Sequence, residues 1–200
     1  MKTYTMKNLK ANPAAKGLIF DLDGTLIDSM PMHWAGWQAA FRKYGSEIDH
    51  DFFFSHAGKA SIEIAQILID KYSTPTTAEA IVDEKQKYVY EHLDEVEIIR
   101  PVVKVVEDNF GRIPMAVGTG SDTARAIRML NNAGLADKFV AIVSADDVEK
   151  HKPHPDTFLR CAELMGVDPT KCQVFEDAEP GLQAAKAGGM IATDVRPYYE

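Results

Sequence analysis

The sequence predicts an α/β fold: a doubly wound parallel sheet, a Rossmann-like core, with an all-helical domain inserted into it. Short apolar runs bounded by turn residues recur along the chain, and each is short enough for a strand buried on both faces. Helical patterns separate the later runs, as a doubly wound sheet requires. One long helical stretch interrupts this alternation, which predicts the insertion.

The strands and helices follow from these patterns in chain order. The predicted strands are Gly17–Leu22, Ile113–Gly118, Phe139–Val143, Gln173–Phe175 and Met190–Thr193. Helices are predicted over 101–110, 121–134, 155–166 and 179–188, and in the inserted stretch over 31–44, 49–55, 60–72 and 77–93. No strand is predicted between Met30 and Ile99. We therefore expect a core domain of residues 13–29 and 100–200 and a helical domain of residues 30–99.

Composition limits the class of protein. The 200 residues are 46% hydrophobic, which is enough for one core and a modest second lobe. A formal net charge of −8 argues against nucleic-acid or anionic-membrane partners, so a small molecule is the expected partner. Cys161 and Cys172 are too few for a disulfide framework and are expected to be buried and reduced. With no apolar run of signal-peptide or membrane-helix length, we expect a cytoplasmic protein.

The first strand ends in the segment Phe20-Asp21-Leu22-Asp23-Gly24-Thr25. The carboxyl ends of parallel strands line the ligand crevice of an open sheet, so both acids are expected to face one cavity. Two carboxylates this close are costly unless a cation lies between them, and hard carboxylate oxygens select Mg²⁺. The alternative is that Asp21 and Asp23 only end a strand and cap a turn.

Three further polar segments follow later strands. They are Gly118-Thr119-Gly120-Ser121, His151-Lys152-Pro153 and Phe175-Glu176-Asp177. A hydroxyl between glycines at a helix N-terminus can approach a phosphate. Taken singly, each segment has a plain structural explanation: Ser121 as a helix cap, Lys152 as a solvated charge, and Asp177 as a second cap. Four such segments at successive strand ends together indicate one phosphate site.

These motifs resemble those of the haloacid dehalogenase superfamily, and the likeness spans about Gly17 to Arg196. The helical insertion and the segment Met30-Pro31-Met32-His33-Trp34 are similar to the β-phosphoglucomutase-like branch. Within that branch the motifs look most like bacterial sugar-phosphate phosphatases of the fructose-1-phosphatase type. The resemblance implies a Mg²⁺-dependent sugar-phosphate phosphatase that works as a monomer and forms an aspartyl-phosphate intermediate.

The resemblance also implies roles for the motif residues. Asp21 would be the nucleophile and Asp23 the general acid and base, while Thr119 and Lys152 would hold phosphoryl oxygens. The implied Mg²⁺ ligands are Asp21, the backbone carbonyl of Asp23 and Asp177, with Glu176 binding the ion either directly or through water. The loop residues Gly24, Thr25, Gly120 and Ser121 are expected to lie around the phosphate.

Specificity is expected to come from the inserted helical domain, because the sheet side sees only the phosphate. The candidate substrate-binding residues there are His33, Gly58, Lys59 and Lys85, with Trp37 as a weaker candidate. Each has an alternative explanation. His33 can be a satisfied, partly buried histidine, Trp37 a core residue, Gly58 an ordinary turn residue, and the two lysines solvated.

Two other functions remain open at this point. A phosphomutase would use the same aspartyl-phosphate, and the active-site motifs do not separate it from a phosphatase. Mutases of this branch grip the distal phosphate with an arginine of the cap domain, and Gly58-Lys59-Ala60-Ser61-Ile62 contains none, which favours the hydrolase. The second alternative is a non-catalytic sugar-phosphate-binding domain, against which the intact Asp21, Asp23, Lys152 and Asp177 argue.

Overall fold

The structure is a computed structural model that describes residues 8–56 and 60–199. It divides into two compact units, one of which is Met30–Glu95, while the other combines the segments before and after it. Two predicted site residues, Gly58 and Lys59, lie outside the described residues. Within 8–56 and 60–199, no helix is both long enough and apolar enough to cross a membrane.

A five-stranded parallel sheet forms the centre of the first unit. Its strands are β1 (Gly17–Phe20), β4 (Met115–Gly118), β5 (Ala141–Val143), β6 (Cys172–Glu176) and β7 (Ile191–Asp194), in the spatial order β5-β4-β1-β6-β7. Every pairing in this sheet is parallel. The predicted doubly wound α/β class is thus confirmed, and each predicted strand is present with shifted ends.

The sheet is buried because helices cover it. The helices of this unit are α5 (Arg100–Asn109), α6 (Thr123–Asn132), α7 (Asp156–Met165) and α8 (Glu179–Ala187). One buried cluster joins Ile19, Ala116 and Val174 of the sheet to Phe158 of α7 and Ala185 of α8. Strands that carry apolar side chains on both faces can be covered in this way, which is why they read as continuous apolar runs.

The register of the sheet aligns the carboxyl ends of β1, β4 and β6. Phe20 at the end of β1 lies opposite Val117 of β4 and Phe175 of β6. The rings of Phe20 and Phe175 stack with centroids 4.7 Å apart, so the register is also fixed by packing. The residues that follow these three positions therefore emerge at one edge of the sheet.

A two-stranded antiparallel ribbon corrects the prediction that no strand occurs between Met30 and Ile99. Strand β2 (Ile27–Asp28) pairs with β3 (Glu97–Ile98), so the chain on either side of the insertion is joined by backbone hydrogen bonds. Sequence periodicity could not reveal it, because two residues are too few to show alternation. The pairing also places Val96 and the residues after it in the first unit.

The second unit consists of helices. They are α1 (Met30–Lys43), α2 (His50–Phe54), α3 (Ser61–Tyr72) and α4 (Ala78–Glu91). Helix α3 ends where Ser73 adopts a left-handed conformation with φ of 50°, directly after the predicted helix 60–72. Thr77 caps α4 by accepting a hydrogen bond from the amide of Ala80. An apolar cluster that includes Phe41, Leu68 and Ile81 forms the core of this unit.

Both cysteines are buried free thiols, as the sequence predicted. Burial raises the pKa of Cys161 to about 12 and that of Cys172 to about 11. Each thiol therefore stays protonated at neutral pH and serves as a packing group.

Candidate active site

The first acidic segment forms a tight turn directly after β1. The amide of Asp21 donates to the carbonyl of Phe175 at 3.0 Å, which continues the sheet pairing by one residue. The amides of Leu26 and Ile27 then both donate to the carbonyl of Leu22 at 3.0 Å. This folding-back keeps Asp21 and Asp23 at the sheet edge and buries the side chain of Asp21.

Lys152 approaches the same edge from the segment before α7. Its Nζ atom lies 2.5 Å from Oδ1 of Asp21 and 3.5 Å from Oε2 of Glu176. Burial acts to lower the pKa of Lys152, but the two carboxylates outweigh it and raise that pKa above its usual value. Lys152 is therefore a buried cation, and its interpretation as a solvated surface charge is wrong.

Three carboxylates converge beside this lysine. Asp21, Glu176 and Asp177 each offer an oxygen, and these atoms all lie within 4.8 Å of one another. Burial raises the pKa of Asp21 to about 6, with Lys152 opposing the rise. Burial and the charge of Asp21 raise the pKa of Glu176 to about 9, and burial raises the pKa of Asp177 as well. Three acids therefore share one lysine, and burial disfavours their charged forms.

This donor set fits a hard divalent cation such as Mg²⁺, which prefers carboxylate oxygens. Two glycines leave room for these carboxylates: a Cβ atom on Gly24 would run into the carboxylate of Asp177, and one on Gly181 would run into that of Glu176. The acids therefore need glycine beside them to hold their positions. Helix α8 starts after Ala178 without a side-chain cap, so Asp177 is not the helix cap that the alternative interpretation proposed.

Gly24 and Thr25 support Asp177. Gly24 has a φ of 82°, a conformation that glycine adopts without strain. The fully buried Thr25 hydroxyl donates to Oδ1 of Asp177 at 2.9 Å. From the sequence, both residues are expected around the phosphate, whereas the contact observed for the Thr25 hydroxyl orients a carboxylate. The hydroxyl of Tyr199 donates to the carbonyl of Gly24 at 2.6 Å, a contact with the C-terminal segment that the sequence did not predict.

The loop after β4 carries the predicted hydroxyl. The amide of Thr119 donates to the carbonyl of Val143 at 2.9 Å, and its Oγ1 accepts from the amide of Ser121 at 3.0 Å. A Cβ atom on Gly120 would meet nothing within 4 Å, so the backbone there is open to a ligand. Ser121 does not cap α6, because Asp122 does so by accepting from the amide of Arg125.

The Ser121 hydroxyl instead donates to Oδ2 of Asp23 at 2.6 Å. The other carboxylate oxygen of Asp23 accepts from Nη2 of Arg125 at 2.7 Å. Arg125 is not among the site residues predicted from the sequence. Arg125 lies in the first turn of α6 and Ser121 lies just before the helix cap Asp122, but nothing in the local pattern points to Asp23.

Two further predicted residues, His33 and Lys85, lie in the second unit. Lys85 is buried on α4, with its Nζ atom 5.9 Å from the centre of the Trp37 ring, so it is not a solvated lysine. Trp37 is itself buried in the core of that unit, as its alternative explanation proposed. His33 lies on α1 and is half-buried. In the first unit, Lys152 contacts Asp21 and Glu176, and Asp177 lies beside these two acids. Asp23 contacts Ser121.

Comparison with known proteins shows the family of the chain. The family model described as haloacid dehalogenase-like hydrolase matches residues 18–195. The chain is 47% identical to the fructose-1-phosphate phosphatase YqaB of Escherichia coli, across 90% of this chain and 96% of that protein. It is 29% identical to a phosphorylated carbohydrates phosphatase of Thermotoga maritima, across 88% of this chain and 82% of that protein.

A solved structure is also similar. The crystal structure of β-phosphoglucomutase from Clostridium difficile superposes with a TM-score of 0.70 at 29% identity, across 90% of this chain and 84% of that chain. The resemblance drawn from the motifs is therefore confirmed, and so is the prediction of a phosphoric monoester hydrolase. The chain belongs to the family of haloacid dehalogenase-like hydrolases.

Proposed function

We propose that this hydrolase is a Mg²⁺-dependent phosphatase that acts on a small sugar phosphate through a phosphoryl group carried by Asp21. The observation that carries the proposal is the contact of Asp21 with Lys152 inside a cluster of three carboxylates. A nucleophilic carboxylate needs neighbouring cations before it can attack an anionic ester. The cluster supplies one cation and the ligands for a second.

Asp21, Glu176 and Asp177 would hold the metal, with the backbone carbonyl of Asp23 as a further ligand. Bound there, Mg²⁺ supplies positive charge that offsets the repulsion between the carboxylate of Asp21 and the phosphate ester. The raised pKa values of Asp21 and Glu176 are consistent with this assignment, because burial, their largest cause, and the neighbouring acids both disfavour the charged forms, and a bound cation would favour them.

The reaction follows from the chain's own groups. A carboxylate oxygen of Asp21 attacks phosphorus and the bond from phosphorus to the sugar oxygen breaks. The departing oxygen takes a proton from the carboxyl of Asp23. Water then attacks the phosphorus of phospho-Asp21 and gives its proton to the Asp23 carboxylate, which releases inorganic phosphate and restores Asp21. Thr119 and Lys152 would hold the phosphoryl oxygens through both steps.

The sugar-phosphate class is proposed from the relatives, since the E. coli protein is named a fructose-1-phosphate phosphatase and the T. maritima protein a phosphatase of phosphorylated carbohydrates. We propose that the helical unit Met30–Glu95 acts as a cap that selects the sugar, with His33, Gly58, Lys59 and Lys85 as its contact residues. A preference for one sugar phosphate would then change on substitution within this unit, with the catalytic groups intact.

A phosphomutase is the second candidate, because the similar C. difficile structure is a β-phosphoglucomutase. In that case Asp21 would return the phosphoryl group to a sugar hydroxyl instead of water. The two activities give different products, inorganic phosphate or an isomerised hexose phosphate.

The test is a panel of sugar phosphates, including fructose 1-phosphate and β-glucose 1-phosphate, incubated with and without Mg²⁺. We expect Mg²⁺-dependent release of inorganic phosphate. An Asp21→Asn variant should stay folded and lose turnover, because the amide cannot form the acyl phosphate. Appreciable hydrolysis by Asp21→Asn, or activity that persists in a metal chelator, would contradict the proposal, and formation of glucose 6-phosphate would identify a mutase.

A further inference from the structure

The carboxylate of Asp23 is held at both oxygens, by Arg125 at 2.7 Å and by Ser121 at 2.6 Å. We propose that Arg125 is a positioning residue which, together with Ser121, fixes the Asp23 side chain so that its carboxyl group, when protonated, can give its proton to the departing sugar oxygen. The inference rests on the proposed function and adds to it a residue outside the four motifs.

The environment of the pair makes the contact effective. The Arg125 side chain is 13% exposed and that of Asp23 is 25% exposed, so the charges are shielded from bulk water more than a surface pair would be. Arginine is also suited to this task, because its planar, permanently charged guanidinium donates in fixed directions. The contact is thus a directional restraint on Asp23.

Arg125 lies in the first turn of α6, and hydrogen bonds hold this turn in place. Its amide donates to the Asp122 carboxylate at 2.9 Å. The amide and hydroxyl of Thr123 both donate to Oδ2 of Asp146 at 2.9 Å, and that hydroxyl lies 2.7 Å from the buried Ser144 hydroxyl. The start of α6 is therefore tied to the loop after β5, and the guanidinium has a fixed base from which to reach Asp23.

Holding both oxygens matters because of how an aspartate moves. A carboxylate held at one oxygen can still rotate about its last bond, whereas a carboxylate held at both keeps its plane. Each oxygen has two lone pairs, so two acceptor positions of Asp23 remain for a proton after Arg125 and Ser121 are bound. Proton transfer requires the acid within hydrogen-bond reach of the leaving oxygen, and small misplacements cost large factors in rate.

Two other roles would place Arg125 at the same position. It can be a purely structural ion pair, or it can bind the phosphate of the substrate. Either role predicts that its loss affects all phosphate esters equally. A positioning role for the acid predicts instead that the effect depends on the leaving group. A sugar alkoxide needs a proton to depart, whereas p-nitrophenolate is a stable anion that departs without one.

The experiment compares kcat/KM of the full-length wild type and Arg125→Ala for a sugar phosphate cleaved by the wild type and for p-nitrophenyl phosphate, both with Mg²⁺. kcat/KM covers only the steps up to departure of the leaving group, so the later hydrolysis of phospho-Asp21 does not enter. We expect a loss of about 10- to 100-fold for the sugar phosphate, a part of what general acid catalysis contributes, and little change for p-nitrophenyl phosphate.

Further variants keep the test independent of folding. Arg125→Lys should recover part of the lost rate, because an ammonium can hold one oxygen of Asp23 but not in the same fixed direction. Ser121→Ala should show the same selectivity for the leaving group. Arg160→Ala is the matched control, since Arg160 forms an ion pair with Glu163 on α7 and is 45% exposed. It should match the wild type on both substrates.

The outcomes separate the two proposals. A wild type that cleaves no phosphate ester overturns the proposed function. A wild type that is active together with an Arg125→Ala variant that is unchanged, or that loses both substrates equally, overturns the positioning role alone.

Discussion

Lys152 Nζ lies 2.5 Å from Oδ1 of Asp21, although 131 residues separate the two in sequence. The lysine side chain is 13% exposed and that of Asp21 is 8% exposed. The same ammonium reaches Glu176 at 3.5 Å. One buried cation therefore contacts both the proposed nucleophile and a proposed metal ligand, and the charge balance of the site depends on it.

Replacing Lys152 by methionine should reduce kcat by about 10²-fold or more, because it removes one cation from a developing phosphoryl transition state. Steady-state kinetics at saturating Mg²⁺ measure this. Lys104→Met is the matched control, since Lys104 is an exposed lysine paired with Asp108 on α5, and its turnover should equal that of the wild type. Wild-type turnover in Lys152→Met would remove this lysine from the catalytic groups.

Stability of the metal-free protein should fall as pH rises. The pKa of Asp21 is raised from 3.8 to about 6 and that of Glu176 from 4.5 to about 9. At a pH between the unfolded and the folded pKa of either group, the folded state therefore binds more protons than the unfolded state. The free energy of unfolding then decreases with increasing pH through this range. Mg²⁺ competes with protons for the same carboxylates and should stabilise the protein more at higher pH.

Unfolding temperatures at pH 6 and pH 8.5, with and without Mg²⁺, measure this linkage. The increase in unfolding temperature caused by Mg²⁺ should be larger at pH 8.5 than at pH 6. Asp177→Asn should reduce this increase at both pH values. Equal shifts at the two pH values would show that the metal does not displace protons from this cluster.

Gly24→Ala should disturb the metal site in addition to straining the backbone. Gly24 has a φ of 82°, and its added Cβ would collide with the carboxylate of Asp177. Gly111 has a φ of 73° with nothing within 4 Å of an added Cβ, so Gly111→Ala carries a similar backbone cost of about 1–2 kcal/mol without that collision. The temperature of thermal unfolding should be lower in both variants than in the wild type.

Only Gly24→Ala should also need more Mg²⁺ for half-maximal activity. Titration of activity with Mg²⁺ distinguishes the two variants. If both show the wild-type metal requirement, the contact between position 24 and Asp177 does not govern metal binding.

Tyr199 supports the same turn from the C-terminal segment. Tyr199→Phe removes the hydrogen bond to the carbonyl of Gly24 and should lower the free energy of unfolding by about 1 kcal/mol. It should also raise the Mg²⁺ requirement, because Gly24 precedes the threonine that orients Asp177. Chemical denaturation and Mg²⁺ titration measure the two effects. Tyr198→Phe, one residue away, is the control. If the two variants had the same free energy of unfolding and the same Mg²⁺ requirement, the role of Tyr199 would be contradicted.

Much of the fold and the chemical class of the site could be read from local sequence. Buried parallel strands read as short apolar runs, and each of the five appears in the sheet with its ends shifted by a few residues. The ribbon of Ile27–Asp28 and Glu97–Ile98 was missed because its stability comes from pairing across the insertion. Arg125 was missed for the same reason, since its partner Asp23 lies 102 residues away.

The sequence by itself determined the α/β class, the helical insertion and the strand ends that carry acids, a hydroxyl and a lysine. These features depend on turn chemistry and on periodicity within a few residues, which local composition specifies. The tertiary structure alone decided which of these groups touch: Lys152 with Asp21, Arg125 and Ser121 with Asp23, and Tyr199 with Gly24. Strand order and register bring distant segments together, and only packing of the whole chain fixes them.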